Sequence, residues 1–297
     1  MHRTYSDFSD NMQYLTLNNG VKMPILGFGT YHIPPNETKH AVLNAIEAGY
    51  RLIDTAQNYN NETEVGEAIR ESGVSREELF ITTKISIENY GYDNCKASLS
   101  QSLEKLGLDY IDLVLIQYPF SDYYGAYRAL EDLYGEGLIK AIGVSNFQPD
   151  RLTDICLFER KIIPAINQIE ANPFNAQFPA QANMEKNGVQ MQAYSPFAGG
   201  ENDIFNNDVL VKIAEKNNKT TAQVMLRWLV ERSIVVISKS TNKQKMIENI
   251  DIFDFALDDE DMLDIMALDT GECIGFKYDN PETVELIDEM VGKNKSH

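Results

Sequence analysis

Cysteine is scarce in this chain, with Cys95, Cys156 and Cys273 the three present. An odd number at long spacings supports no disulfide framework and no metal knuckle; it fits buried structural thiols in a reducing compartment, the cytoplasm. The four histidines, His2, His32, His40 and His297, do not cluster, so a zinc site has no ligand set and no metal is expected. Basic residues are outnumbered, 26 Lys and Arg against 45 Asp and Glu, for a net charge of −19. That balance argues against a non-specific nucleic-acid binder and against a protein drawn to anionic membranes. No apolar run approaches the about 18 residues of a membrane span. The stretch 1–12 is polar without an apolar centre, unlike a secretory signal, and is expected to be a flexible arm.

A composition 43% hydrophobic and 10% aromatic is that of a globular protein. No low-complexity linker divides it, so 1–297 reads as a single domain. What recurs is a unit: a short apolar run, a polar tip, then a helical stretch with apolar residues three and four apart. The runs are Ile25–Gly29, Leu52–Asp54, Leu79–Lys84, Asp112–Gln117, Leu138–Val144, Ala165–Ile169, Val189–Tyr194 and Ile234–Ser238. Gly49, Gly73 and Gly107 stand where the first helices stop. Near-continuous apolar runs are strands covered on both faces. Eight parallel strands predict an α/β fold, a closed (β/α)8 TIM barrel. The rival, an open dinucleotide-binding sheet, wants G-x-G-x-x-G after its first strand; here Gly27 and Gly29 lack the third glycine, and His32 stands in its place. Ahead of the units, Tyr14–Leu17 and Val21–Met23 flank Asn18-Asn19-Gly20, a hairpin signal. That hairpin is expected to close the barrel bottom.

Reactive groups in such barrels sit at the carboxyl ends of the strands. Those tips carry Thr30, Asp54, Lys84, Gln117, Ser145 with Asn146, Gln168, Tyr194 with Ser195, and Lys239 with Ser240. Tyrosine alone is a poor acid near neutrality, with a reference pKa of about 10. A neighbouring ammonium favours the phenolate, and a carboxylate beside that ammonium keeps it charged and oriented. Asp54, Tyr59 and Lys84 therefore read either as a phenolic general acid or as an ion pair beside an ordinary tyrosine. The run Ser238–Lys245 holds three lysines in an acidic chain and leads into a helix, which suits a phosphate or else a solvated turn. Tyr194 offers a flat face for a planar ring, the loop through Phe197, Gly199 and Gly200 is flexible, and Asn146 and Gln168 can bond an amide.

The chain resembles the aldo-keto reductase superfamily over about Leu15 to Leu268. The resemblance rests on MPILGFGTY (23–31), GYRLIDTAQNYNNETEVGEAI (49–69), REELFITTKI (76–85), SLEKLGLDYIDLVLI (102–116), GLIKAIGVSNF (137–147), NQIEANP (167–173), QAYSPF (192–197) and ISKSTNKQKMIENIDIFDF (237–255). It implies a barrel that binds NADPH and transfers hydride to a small-molecule carbonyl. Asp54, Tyr59 and Lys84 fall on three of the family's four catalytic positions, with Tyr59 the proton donor. Ser145, Asn146 and Gln168 fall where the nicotinamide amide is held, and Tyr194 where a tyrosine stacks on it. Gly29, Thr30, Ser195, Phe197 and Gly199 are assigned to the same cofactor cleft. Lys239, Ser240, Thr241, Lys245, Glu248 and Asn249 fall on the adenosine-phosphate site. Lys245 replaces the usual arginine, so NADH use is possible.

The departure is Gln117, where the family carries histidine. Glutamine can still donate to a carbonyl oxygen but cannot titrate near neutrality. Reduction of aldehydes and ketones is the leading expectation. Reduction of activated C=C bonds, or NADPH binding with little turnover, are the alternatives. Tyr31, Tyr118 and Phe120 are candidate pocket walls, Tyr118 the strongest of them, whereas Trp228 reads as core. Family tails help shape the substrate site, so 269–297, with Phe276 and Tyr278, is expected near it. A monomer or weak dimer is expected.

Overall fold

The computed structural model describes residues 12–158 and 161–294. Residues 1–11 of the expected arm lie outside the described residues; its last member, Met12, is buried in the core. The chain opens with strands β1 (Tyr14–Thr16) and β2 (Lys22–Pro24), an antiparallel hairpin in which Leu15 faces Met23. Its turn places Gly20 at φ +87°, a left-handed conformation that glycine adopts without strain.

Eight parallel strands follow: β3 (Leu26–Gly29), β4 (Leu52–Asp54), β5 (Phe80–Ile85), β6 (Ile111–Ile116), β7 (Ile139–Ser145), β8 (Ile166–Glu170), β9 (Gln190–Tyr194) and β10 (Val235–Ser238). They pair in chain order, and β10 closes the ring against β3, with Val236 opposite Leu26. The expected (β/α)8 barrel is thus present, each strand within one or two residues of its apolar run. Helices α1 (Pro35–Ala48), α2 (Glu62–Glu71), α3 (Tyr92–Leu106), α4 (Tyr123–Gly135), α5 (Pro149–Leu157) and α6 (Phe178–Asn187) follow β3 to β8 in turn. After β9 come a 3-10 segment, Ala198–Asn206, then α7 (Asp208–Asn217) and α8 (Thr221–Glu231). The helix after β10 is α9 (Lys243–Ile250), and α10 (Asp259–Met266) and α11 (Pro281–Asn294) lie beyond the barrel units.

The apolar interior divides in two along the period of two that strands impose. Leu52, Phe80, Leu113, Leu115, Ile166, Val235 and Ile237 form a small cluster with Leu17 and Met23 of the hairpin; this is the barrel lumen. Their strand neighbours Ile53, Ile81, Val114 and Val236 belong to the larger cluster between sheet and helices, with Val42, Val65, Leu99 and Trp228. Lumen space is tight. A Cβ on Gly27 would stand 2.5 Å from Leu52 Cγ, and one on Gly143 2.6 Å from the Ile166 carbonyl oxygen. Gly27 is therefore a packing glycine, which explains a G-x-G without a phosphate-binding sheet.

The hairpin closes the amino-terminal end of the barrel by bonds as well as by burial. Asn18 Nδ2 donates to the carbonyls of Pro164 and Gly188 at 3.0 Å each, and Asn19 Nδ2 donates to that of Lys140 at 2.9 Å. Those carbonyls belong to the starts of β7, β8 and β9, so one turn ties three strand feet together. Cys95 and Cys156 are buried thiols as expected; Cys273 is only partly buried, because it sits on the tail rather than between sheet and helix. No helix among the described residues is long and apolar enough to cross a membrane. No cluster of metal-ligating side chains occurs among them either.

Candidate active site

The strand positions that face the lumen turn from apolar to polar on going up. Above Leu52 comes Asp54, above Phe80 and Thr82 comes Lys84, above Leu113 and Leu115 comes Gln117, and above Ile166 comes Gln168. Inward parity thus delivers an acid, an amine and two amides to one end, the end opposite the hairpin.

Lys84 is 2% exposed and its ammonium ion-pairs with Asp54. It also donates to the Thr55 carbonyl at 3.1 Å and to the Tyr59 hydroxyl at 3.2 Å. Tyr59 closes a short 3-10 turn, Gln57–Tyr59, that follows β4, and it is half-buried. The second carboxylate oxygen of Asp54 accepts from Gln168 Nε2 at 2.7 Å. Acid, phenol and amine therefore meet as the sequence suggested. Burial pulls Lys84 below the usual lysine pKa, against the attraction of Asp54. The expectation for the phenol needs correction. Tyr59 is held well above its ordinary value by burial first and then by the Asp54 charge.

Gln117 is buried beside this group. Its Nε2 donates to Asn58 Oδ1 at 3.0 Å, while its Oε1 has no partner. Ser145 Oγ donates to the Gln168 carbonyl at 2.8 Å. Asn146 sits at φ +64°, and its Nδ2 donates to the Gln117 carbonyl at 3.0 Å. Tyr194, at the end of β9, donates its hydroxyl to Asn146 Oδ1 at 2.8 Å. These residues form one contiguous network with the triad, since Gln168 bonds both Asp54 and Gln192.

Other expected residues lie nearby in different states. Thr30 is fully buried, and its hydroxyl donates to the Asp54 carbonyl at 3.1 Å. Gly29 faces Ile237 so closely that a Cβ would stand 2.7 Å away. Tyr31 is 53% exposed with its ring 5.0 Å from that of Tyr59. Tyr118 stacks on Tyr278 at 5.9 Å, Phe120 lies 6.2 Å from the same ring, and burial pushes the Tyr118 hydroxyl up to about 12. Ser195 and Gly199 have φ of +50° and +61° in an irregular loop where Phe197 packs on Phe205. At the β10 tip, Lys239, Thr241 and Lys245 are exposed, and neither lysine forms an ion pair among the described residues. Lys243 does, with Glu47 at 2.8 Å. The Ser240 hydroxyl accepts from the Asn242 N–H at 3.1 Å. Glu248 accepts from the Thr220 hydroxyl at 2.9 Å, and Asn249 is buried.

Three residues escaped the sequence reading. Asn58 holds the Gln117 amide. Asn61, fully buried, accepts from Thr55 Oγ1 at 2.8 Å and donates to the carbonyls of Thr30 and Ile33 at 3.1 and 3.2 Å, binding together three loops around the triad. Glu170 bonds the tail; its signal was available, as it continues the inward parity of Ile166 and Gln168.

The profile of the Aldo/keto reductase family matches residues 25–270. The chain is similar to morphine 6-dehydrogenase of Pseudomonas putida, 43% identical over 275 residues that cover 88% of this chain and 93% of that protein. It is similar to glyoxal reductase of Bacillus subtilis, 47% identical over 261 residues, 87% of this chain and 94% of that one. Among solved structures, an aldo-keto reductase of Bombyx mori in complex with NADP superposes with a TM-score of 0.85 at 37% identity, covering 90% of this chain and 96% of that one. The chain belongs to the aldo/keto reductase family. It is an NAD(P)H-dependent oxidoreductase by that membership.

Proposed function

We propose that the chain uses NADPH to reduce aldehydes and ketones to alcohols, with Tyr59 as proton donor. One observation carries the reading: a buried ammonium within 3.2 Å of a phenol and paired on its other side with a carboxylate. The relatives named for glyoxal reduction and morphine oxidation, and the NADP held by the silkworm protein, support the same reaction class.

The residues present suit that cofactor. Ser145, Asn146 and Gln168 combine donors and acceptors as a carboxamide needs, and Gln168 Oε1 makes no bond among the described residues. Lys239 and Lys245, exposed and without ion pairs among the described residues, are charges for phosphate. NADPH, when bound, supplies the hydride. This chain's residues orient and protonate. As the Tyr59 proton leaves, negative charge grows on its oxygen, and Lys84 is already donating to that oxygen. Asp54 fixes the ammonium in place. An amide carries two N–H donors; Asn58 takes one from Gln117, which leaves the second for a carbonyl oxygen.

Turnover of NADPH with a panel of aldehydes, ketones and enones tests the substrate class. Tyr59→Phe is expected to lower carbonyl turnover by about 100-fold or more while NADPH binding stays near the wild-type level. Retained turnover would remove Tyr59 from the chemistry, and lost binding would make it structural. In the same assay Gln117→His is expected to raise carbonyl kcat severalfold; no rise means that this position does not limit the rate.

A further inference from the structure

The three residues of the turn Gln57–Tyr59 point three ways. In a 3-10 turn successive side chains stand about 120° apart. Tyr59 turns to the Lys84 ammonium, at 3.2 Å, and Asn58 turns to Gln117 Nε2, at 3.0 Å. Gln57 turns away from both, out of the barrel. Its Nε2 donates to Ser102 Oγ on α3 at 3.1 Å. Its Oε1 accepts from the Ser86 N–H and from Asn89 Nδ2, each at 2.9 Å, in the segment that follows β5. The turn's own backbone bonds run from the Tyr59 N–H to the Ala56 carbonyl and from the Asn60 N–H to that of Gln57. They shape the turn but do not hold it against its neighbours; the Gln57 amide does that.

The path of bonds continues behind the strands. Ser102 is 1% exposed and donates to Glu62 Oε2 at 3.3 Å. Glu62, buried at the start of α2, forms no ion pair among the described residues. Its Oε1 accepts instead from Thr83 Oγ1 at 2.6 Å. A carboxylate taken out of water needs such donors. Thr83 is fully buried and faces outward from β5, between the inward residues Thr82 and Lys84. The path therefore runs from a residue two before Tyr59 to the residue just before Lys84. Phenol and ammonium, which meet inside the barrel, are both tied from outside to one carboxylate. A cavity of about 380 Å³ opens beside this path, with Gln57, Ser98 and Ser102 in its wall.

We propose that Gln57 and Ser102 are positioning residues, which through Glu62 and Thr83 hold the Tyr59 hydroxyl at bonding distance from the Lys84 ammonium. Neither touches the reacting groups. Without the bridge the turn keeps its shape and its Asn58 contact but loses its outer hold, and Tyr59 is free to shift against Lys84. A displacement of about 1 Å slows chemistry by up to about 100-fold. The inference rests on the reading of Tyr59 as the proton donor.

Single-turnover oxidation of NADPH by propanal, followed by stopped flow, tests the bridge. Ser102→Ala and Gln57→Ala are each expected to slow that step about tenfold or more, with the affinities for NADPH and propanal within about twofold of wild type. The double variant is slowed no further than the slower single one, because both changes cut the same path. Ser102→Thr keeps the hydroxyl, its added methyl has the cavity to enter, and the rate stays near wild type. Ser98→Ala removes a hydroxyl from the same cavity wall, one bonded within its own helix to the Cys95 carbonyl, and leaves the rate unchanged. Gln57→Ala, at a half-buried residue, carries the test if Ser102→Ala does not fold. Wild-type rates in the alanine variants at 57 and 102 overturn the proposal. So do losses that multiply in the double variant, a Ser102→Thr as slow as Ser102→Ala, or an equal loss in Ser98→Ala. A fully active Tyr59→Phe would remove the reading of the site itself, whereas an inactive Tyr59→Phe beside unimpaired Gln57→Ala and Ser102→Ala would sink the positioning alone.

Discussion

Tyr59 holds its proton more tightly than a free tyrosine, because burial and the nearby Asp54 carboxylate both disfavour the phenolate. The sign of the consequence depends on direction of reaction. A donor must begin protonated, so carbonyl reduction is expected to stay level from about pH 6 to about pH 9, below even the unshifted tyrosine value. Alcohol oxidation needs the phenolate as acceptor, and its kcat is expected to climb by about tenfold per pH unit over that range. Gln117 adds no break of its own, since an amide does not titrate. A reduction profile that falls through neutrality would point to another donor. Much of this placement was legible residue by residue. Asp54, Lys84, Gln117 and Gln168 announce themselves as polar ends of apolar runs, which a period of two then turns inward. Asn58 and Asn61 do not, for their importance lies in what their side chains reach across loops. Asn61 even misleads: it stands at the start of α2, where a capping role is the natural reading, yet its side chain caps nothing and binds Thr55, Thr30 and Ile33 instead. The direction of the Tyr59 shift was hidden for a similar reason, since spacing shows that a phenol meets an acid and an amine but not how deeply the phenol is buried among them.

Strands and helices were read most securely where burial on both faces left an unbroken apolar run, as in β6 and β7. The element that escaped is α10, where Asp259, Glu260, Asp261 and Asp264 crowd the few apolar positions and mask the period. Close approaches between elements were also hidden. Gly66 on α2 lies against the end of α3, and a Cβ there would stand 2.2 Å from the Leu106 carbonyl oxygen, a contact that neither backbone can relieve by rotating a side chain. Gly66→Ala is accordingly expected to destabilise the fold by about 3 kcal/mol although alanine is the better helix former by about 1 kcal/mol. Urea denaturation checks it; a stabilised variant would show that α2 can slide away from α3 freely. By contrast Gly135, at the end of α4, has open space around it, so the same change there is a control for helix propensity alone.

At the scale of the molecule, a chain of net charge −19 must bind a cofactor that is itself an anion. Lys239 and Lys245 concentrate positive charge at the one tip where the fold ends its eighth strand. NADPH at about 100 times its Kd is expected to stabilise the protein by about 2.7 kcal/mol. Lys245→Ala is expected to weaken NADPH binding by about tenfold and NADH binding by much less, as read by fluorescence titration. Equal losses for both would place Lys245 away from the extra phosphate. The hairpin at the opposite pole has a practical corollary. Its turn at Gly20 has nothing within 4 Å of where a side chain would begin. A tether inserted there would anchor the protein to an electrode or bead by its sealed floor, with the catalytic opening turned outward to the solution.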